Sequence, residues 1–272
     1  MSTSLPNHPT AADRELKIYE HLSKVHSHHP GQSLIRNLYD SFEVQGELGK
    51  HRCLILQPMH MTLFEMMHLN PRSFNLPLLK MTIRRLLVTL DFLHTDGNVT
   101  HGDIKTDNLM LKIEDSTMLD DFASAELNDP SPRKKIDSSR TVYKTRRLRP
   151  PAKEKGYGLP TLCDFGEARI GKVHESGPFV QPHIYRAPEV IFEMPWGSAI
   201  DIWNVACLIW DLFEGEHLFA DIFDTKGDHD PFKHLALMVA LIGQPPGEFV
   251  QRSETTEQCF ESSGKCPISL II

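Results

Sequence analysis

From Leu76 onward the apolar residues Leu79, Ile83, Leu86, Leu87, Leu90 and Leu93 recur at helical spacing until Gly97, a residue suited to a left-handed C-terminal stop. The chain then runs straight into His101-Gly-Asp103-Ile-Lys105-Thr-Asp-Asn108. A long amphipathic helix that delivers a carboxylate, an amine and an amide into one short string constrains this chain more than any bulk property. These groups suit phosphoryl transfer, in which charge collects on the phosphoryl oxygens and catalysis is mostly positioning and neutralisation. Asp103 suits a hydroxyl-proton acceptor, Lys105 a cation for the transferred phosphate, and Asn108 a neutral oxygen donor to a hard divalent cation. A loop of polar residues with no chemistry is the competing reading of the string taken alone.

Three further segments carry structural signals. Ser198 to Phe213 repeats a helical pattern through Ile202, Ala206, Ile209 and Phe213 and is apolar nearly all round, so burial on every side is expected. Ala11 to Val25 reads as a helix with Leu16, Tyr19, Leu22 and Val25 on one face and Thr10 as its cap. Leu34 to Val44 and His51 to Leu56, separated by Gly46 and Gly49, read as a strand hairpin. With 40% apolar residues in 272, the chain can bury a core. No stretch approaches the roughly 18 apolar residues of a membrane span, and the N-terminus lacks the pattern of a signal peptide. Five scattered cysteines without a CxxC pair argue against a zinc ribbon or a secreted disulfide scaffold. A soluble monomer of the cytoplasm and nucleus is expected, with no membrane and no direct nucleic-acid partner.

Charge is unevenly spread. Residues 133 to 155 hold ten Lys or Arg against Asp137 and Glu154, a local +8, so with a net charge of −7 the remainder carries −15. Just upstream, residues 113 to 129 carry six acids and no Lys or Arg. Together with five prolines between 130 and 160 and little apolar periodicity, this predicts a disordered spacer over 113 to 160. The basic run reads either as a solvated loop or as a nuclear address or polyanion contact.

Further polar signatures follow in order: Leu162-Cys163-Asp164-Phe165-Gly166, then Tyr185-Arg186-Ala187-Pro188-Glu189, then Asp201-Ile-Trp203 within the apolar helix. With the HxDxKxxN string they resemble the eukaryotic protein kinases over about residues 11 to 250. The stretches HTDGNVTHGDIKTDNLML, VQPHIYRAPEVI and GSAIDIWNVACLIWDLFEGEHLF are similar to the SR-protein kinases, which phosphorylate arginine-serine-rich splicing factors. That family also carries a long spacer at this place, and here Asp103 and Asp164 lie 61 positions apart.

The resemblance implies a two-lobed α+β kinase fold: an incomplete N-terminal sheet lobe at 11–57, a mainly helical C-terminal lobe at 58–112 and 161–250, and an irregular tail at 251–272. It implies ATP and Mg2+ as cofactors, with Asp103 and Lys105 catalytic and Asn108 and Asp164 on the metal. Nucleotide contacts would come from Glu15 of the regulatory helix, Leu56 as gatekeeper, the hinge Gln57 to Met59, and Lys105, Asn108 and Asp164. Lys105 resembles the lysine of serine/threonine rather than tyrosine kinases. Phe165 would pack in the regulatory core, and Asp201 would hold the catalytic loop by its backbone amides. Gly102 stands where many kinases carry an arginine that reads activation-loop phosphate, which implies independence from that phosphorylation. Asp221, Asp224, Asp228 and Asp230 read either as a dock for an arginine-rich substrate or as a solvated loop.

Two features depart from the family pattern. No glycine-rich turn or lysine precedes Glu15, and the sequence ends at PISLII with Arg252 the only arginine after Arg186 available to Glu189. A form truncated at both ends is therefore expected. Two functions stay open at this point: a serine/threonine kinase acting on arginine/serine-rich proteins, and a catalytically impaired binding module.

Overall fold

The computed structural model describes residues 2–3, 11–46, 49–69, 74–138, 140–151, 156–175, 180–257 and 259–261. The expected cap at Thr10 and most of the 251–272 tail lie outside them. A short strand β1 (Ser2–Thr3) pairs with β3 (Gly49–Leu56), which pairs antiparallel with β2 (Leu38–Gly46) from Leu38↔Leu56 to Gly46↔Gly49. This is the expected hairpin, but its first strand starts later than the apolar pattern suggests. Pro30 directs Pro30–Leu34 into a 3-10 turn, and Ile35 instead bridges to Leu162. Helix α1 (Ala11–Leu22) packs on this unit with Ile18, Tyr19 and Leu22 buried.

The chain crosses to the second unit through β4 (Met59–Thr62), which joins β6 (Leu109–Lys112) and β9 (Pro160–Leu162) in a sheet of order β4-β6-β9. Helix α2 (Leu63–Leu69) follows, then α3 (Leu76–Thr95), whose cap Asn75 accepts from the Leu78 amide at 3.0 Å. A two-residue strand β5 (Val99–Thr100) pairs with β10 (Arg169–Ile170). Helices α5 (Pro188–Ile191), α6 (Ala199–Glu214) and α7 (Pro231–Ile242) complete the unit with two short helical segments, Gly247–Val250 and Glu254–Glu257. No helix among the described residues is long and apolar enough to cross a membrane.

One core runs through both units. Ile18, Leu22, Leu86, Leu90, Leu93, Leu109, Leu162, Phe165, Leu208 and Leu212 belong to a single buried cluster, so α1, α3, α6 and the sheet strands share one interior.

Two expectations are corrected here. Helix α6 is not buried on every side: Ile202, Ile209 and Phe213 are 48%, 38% and 51% exposed, and the interior takes Ile200, Val205, Leu208 and Leu212. The interior face also holds Asp201, Asn204 and Asp211, polar residues that hide it from a search for apolar periodicity.

The segment 113–160 is not a featureless spacer. It contains α4 (Thr117–Asn128) and a hairpin of β7 (Arg133–Lys135) and β8 (Thr141–Tyr143). Met118 and Asp115 are buried, and Arg146 and Arg149 pair with Glu126 and Asp121 of α4. Its order comes from two charge blocks that neutralise each other, which composition read block by block does not show.

The face assignment of α6 is directly testable. Leu208→Ala is expected to cost about 2–5 kcal/mol in urea unfolding, whereas Ile202→Ala on the opposite face costs less than about 0.5 kcal/mol. Equal costs would contradict it.

Candidate active site

The site is anchored from below. Asp201, fully buried in the first turn of α6, accepts from the amides of His101 through Oδ2 and Gly102 through Oδ1, each at 2.8 Å. His94, in the last turn of α3, donates from Nε2 to Asp201 Oδ2 at 2.8 Å. One carboxylate thus joins two helices to the loop between them. Gly102 has φ +75°, and a Cβ there would meet the Glu167 carbonyl oxygen at 3.1 Å, so glycine at this position has a local backbone reason.

From this anchor the polar string is laid out in order. His101 accepts from the Asp103 amide at Nδ1 (3.2 Å) and its Nε2 donates to the Cys163 carbonyl (3.2 Å). Lys105 Nζ lies 2.8 and 3.1 Å from the two Asp103 carboxylate oxygens. Asn108 Nδ2 donates to both the carbonyl and Oδ2 of Asp103 at 2.8 Å, and its backbone carbonyl accepts from the Cys163 amide at 2.8 Å. Asp103 is thereby linked through Asn108 to Cys163, the residue before Asp164, across 60 positions of sequence. Asp164 is exposed with φ +65°, a left-handed conformation uncommon outside glycine, and its Oδ1 accepts from the Gly166 amide at 3.1 Å.

This donor set fits magnesium. Asn108 Oδ1 accepts no protein hydrogen bond among the described residues, and Asp164 adds an exposed carboxylate. No group of three or more His, Cys, Asp and Glu capable of caging a metal occurs among them. Few protein oxygens with the remainder supplied by phosphate and water is the coordination that suits Mg2+.

The flanking residues separate into two groups. Glu15, on α1, accepts from the Phe165 amide at 3.4 Å, and Tyr19 meets the buried Phe165 ring edge-on at 5.3 Å. Burial, and then the Asp164 charge, push the Glu15 carboxyl above the usual range, while Arg36 pulls it down. Leu56 ends β3 and packs partly buried against the core, and Met59 is buried at the start of β4. Between them the Gln57 amide donates to the Asn37 carbonyl at 2.8 Å, and its carbonyl accepts from Arg36 Nε at 2.7 Å. Arg36 thus links the Leu56–Met59 connection to the surroundings of Glu15. No pattern in the sequence marks it, since it is a lone arginine between short apolar stretches. His94 is equally unmarked, one polar residue in the last turn of a helix.

The second polar signature closes the far side. Gln181 donates from its amide to the Gly102 carbonyl at 3.1 Å, and its side chain bridges the Ala187 amide and the Ile200 carbonyl. Tyr185 donates its hydroxyl to Asp211, and Asn204 donates to the Tyr185 carbonyl at 2.6 Å. Burial raises the Glu189 carboxyl, and Arg252 lowers it while its guanidinium sits 5.5 Å above the Phe249 ring.

Similarity to other proteins agrees with this arrangement. The protein kinase domain family model matches residues 3–158 and 152–258. The chain belongs to the protein kinase family. A serine/threonine protein kinase of Aspergillus fumigatus is 40% identical over 254 residues, covering 93% of this chain and 61% of the relative. The serine/threonine-protein kinase SRPK of Physarum polycephalum is 29% identical over 280 residues, 96% of this chain and 64% of that protein. The kinase Doa of Drosophila melanogaster is 25% identical over 237 residues, 87% of this chain and 24% of its own length. The chain therefore spans less than two thirds of these kinases.

The upward shift of Glu15 has a defined sign. The folded state holds this proton more tightly than the unfolded chain, so ionisation of Glu15 at rising pH lowers stability. Glu15→Gln is expected to raise Tm near pH 7 by thermal denaturation, with the gain shrinking as the pH falls toward about 4. A loss of stability near neutral pH would instead show Glu15 to be ion-paired.

Proposed function

We propose that this protein transfers the γ-phosphoryl group of ATP to serine and threonine hydroxyls of arginine/serine-rich proteins. The observation that carries the reading is the hydrogen-bonded connection from Asp103 through Asn108 to the backbone beside Asp164. In this reading Asp103 receives the proton of the attacking hydroxyl. Lys105, already on the Asp103 carboxylate, neutralises the incoming phosphoryl oxygens. Asn108 Oδ1 and Asp164 hold magnesium, and the adenine lies along Leu56 to Met59. When bound, magnesium offsets the negative charge of the nucleotide phosphates.

The substrate class rests on the SRPK among the relatives and on the acidic surface around residue 225. Asp230 is committed as the cap of α7, accepting from the Phe232 and Lys233 amides at 3.0 and 3.1 Å. Asp224 closes its own turn through the Lys226 and Asp228 amides. Asp221, shared with Lys233, and Asp228 are the carboxylates left to meet a guanidinium. Arg133, Lys134 and Lys135 of β7, together with Arg140, Lys144 and Arg147, are exposed and open to an import receptor, in keeping with a protein shared between cytoplasm and nucleus.

A specific observation favours a second reading. Among the described residues no lysine pairs with Glu15, which is in keeping with a module that binds arginine-rich partners without turnover.

Purified protein with Mg·ATP is expected to phosphorylate an arginine-serine peptide, and Asp103→Asn is expected to lower the rate by about 10²- to 10⁴-fold at unchanged Tm. Equal rates in both proteins would overturn the catalytic assignment. Salt-sensitive peptide binding with no turnover in the wild type would favour the binding module.

A further inference from the structure

The acidic and basic blocks of segment 113–160 form a clasp. Arg146 donates from Nε to Glu126 Oε2 at 2.9 Å and from its Nη2 to the Asp129 carbonyl. Arg149 donates from Nε to Asp121 Oδ2 at 2.5 Å and from Nη2 to Thr117 Oγ1 at 2.9 Å, with buried Asp115 at 3.5 Å. The Arg149 carbonyl accepts from His60 Nε2 at 3.0 Å, which ties the clasp to β4.

Ser131 sits at its centre. Its Oγ donates to Glu126 Oε2 at 2.6 Å and its amide to Glu126 Oε1 at 2.7 Å, on the carboxylate that Arg146 also holds. These bonds, those from Ser131 first, hold the Glu126 carboxyl down to about 2. Ser131 is partly exposed, lies in coil between α4 and β7, and is followed by Pro132, Arg133 and Lys134. A serine with proline next and a base three residues on, in a segment outside helix and sheet, has the local form that a kinase groove selecting proline after the acceptor can accommodate.

We propose that Ser131 is a phosphorylation site for a proline-directed serine/threonine kinase and that its phosphate opens the clasp between α4 and residues 144–149. In the transfer, Ser131 Oγ bonds to the γ-phosphorus of ATP as the bond from that phosphorus to the ADP oxygen breaks. The hydroxyl proton passes to a carboxylate of the acting kinase, and ADP leaves. The esterified Oγ no longer has a proton to give Glu126, and the phosphate carries about −1.5 to −2 of charge beside that carboxylate. It also sits just past the C-terminus of α4, where the helix dipole disfavours anions. Arg146 cannot neutralise Glu126, Asp129 and a phosphate together.

The test uses the full chain, treated with a purified proline-directed kinase and ATP, with the modified residue located by mass spectrometry and amide hydrogen exchange followed over residues 117–149. Phosphate is expected on Ser131, with exchange in α4 and residues 144–149 faster by about tenfold or more. Pro132→Ala, which leaves both Ser131–Glu126 bonds in place, is expected to take up no phosphate and to keep the slow exchange. Absence of phosphate from Ser131, or phosphate there with unchanged exchange, overturns the proposal.

Discussion

The carboxylate of Asp201 lies out of reach of water and must be satisfied by protein groups alone. An uncompensated buried charge costs several kcal/mol, so the two loop amides and the His94 imidazole that surround it are as much a requirement of α6 as of the loop. Hydrogen bonds to a charged group contribute about 1.5–3 kcal/mol each, enough to set the path of His101 and Gly102 against the conformational freedom of a loop. The backbone of the string that carries Asp103, Lys105 and Asn108 is therefore fixed by a residue that touches none of them.

Convergence of the two acidic signatures follows from that fixed path. Once His101 and Gly102 are held, Asn108 leads directly into β6, and β6 pairs with β9, the strand that ends beside Asp164. The sheet brings together residues that the sequence keeps far apart. On the other side, α1 presses Tyr19 and Glu15 against Phe165, so the position of α1 and the backbone beside Asp164 are mechanically one unit. The charge on Glu15 is held there at a cost that the Phe165 amide and then the Arg36 guanidinium offset in part.

Much of this was legible in the sequence because it is local. The apolar spacing from Leu79 to Leu93 follows from a helix with one buried face, and the string at His101–Asn108 is contiguous. The errors share one cause, dependence on partners distant along the chain. Apolar spacing in α6 picked out Ile202, Ile209 and Phe213, which are exposed. The true interior face combines Ile200, Val205, Leu208 and Leu212 with Asp201, Asn204 and Asp211, whose burial depends on hydrogen-bond partners from other elements. In the segment 113–160 each charge block alone predicts repulsion and disorder, and only their pairing across a turn, with Met118 as an apolar foot, explains α4. Arg36 and His94 act through single contacts and leave no spacing to read.

In the proposed function the Asp201 clamp, at a distance, shapes the magnesium-nucleotide site. Calorimetric titration of ATP with and without magnesium, in wild-type protein and in Asp201→Asn, tests it most directly, because the substitution nearly preserves shape but replaces one acceptor oxygen with a donor. The account predicts magnesium-dependent binding to the wild type that is weakened at least about tenfold in the variant, although residue 201 touches no ligand. Binding indifferent to magnesium, or a folded variant with undiminished affinity, would contradict it.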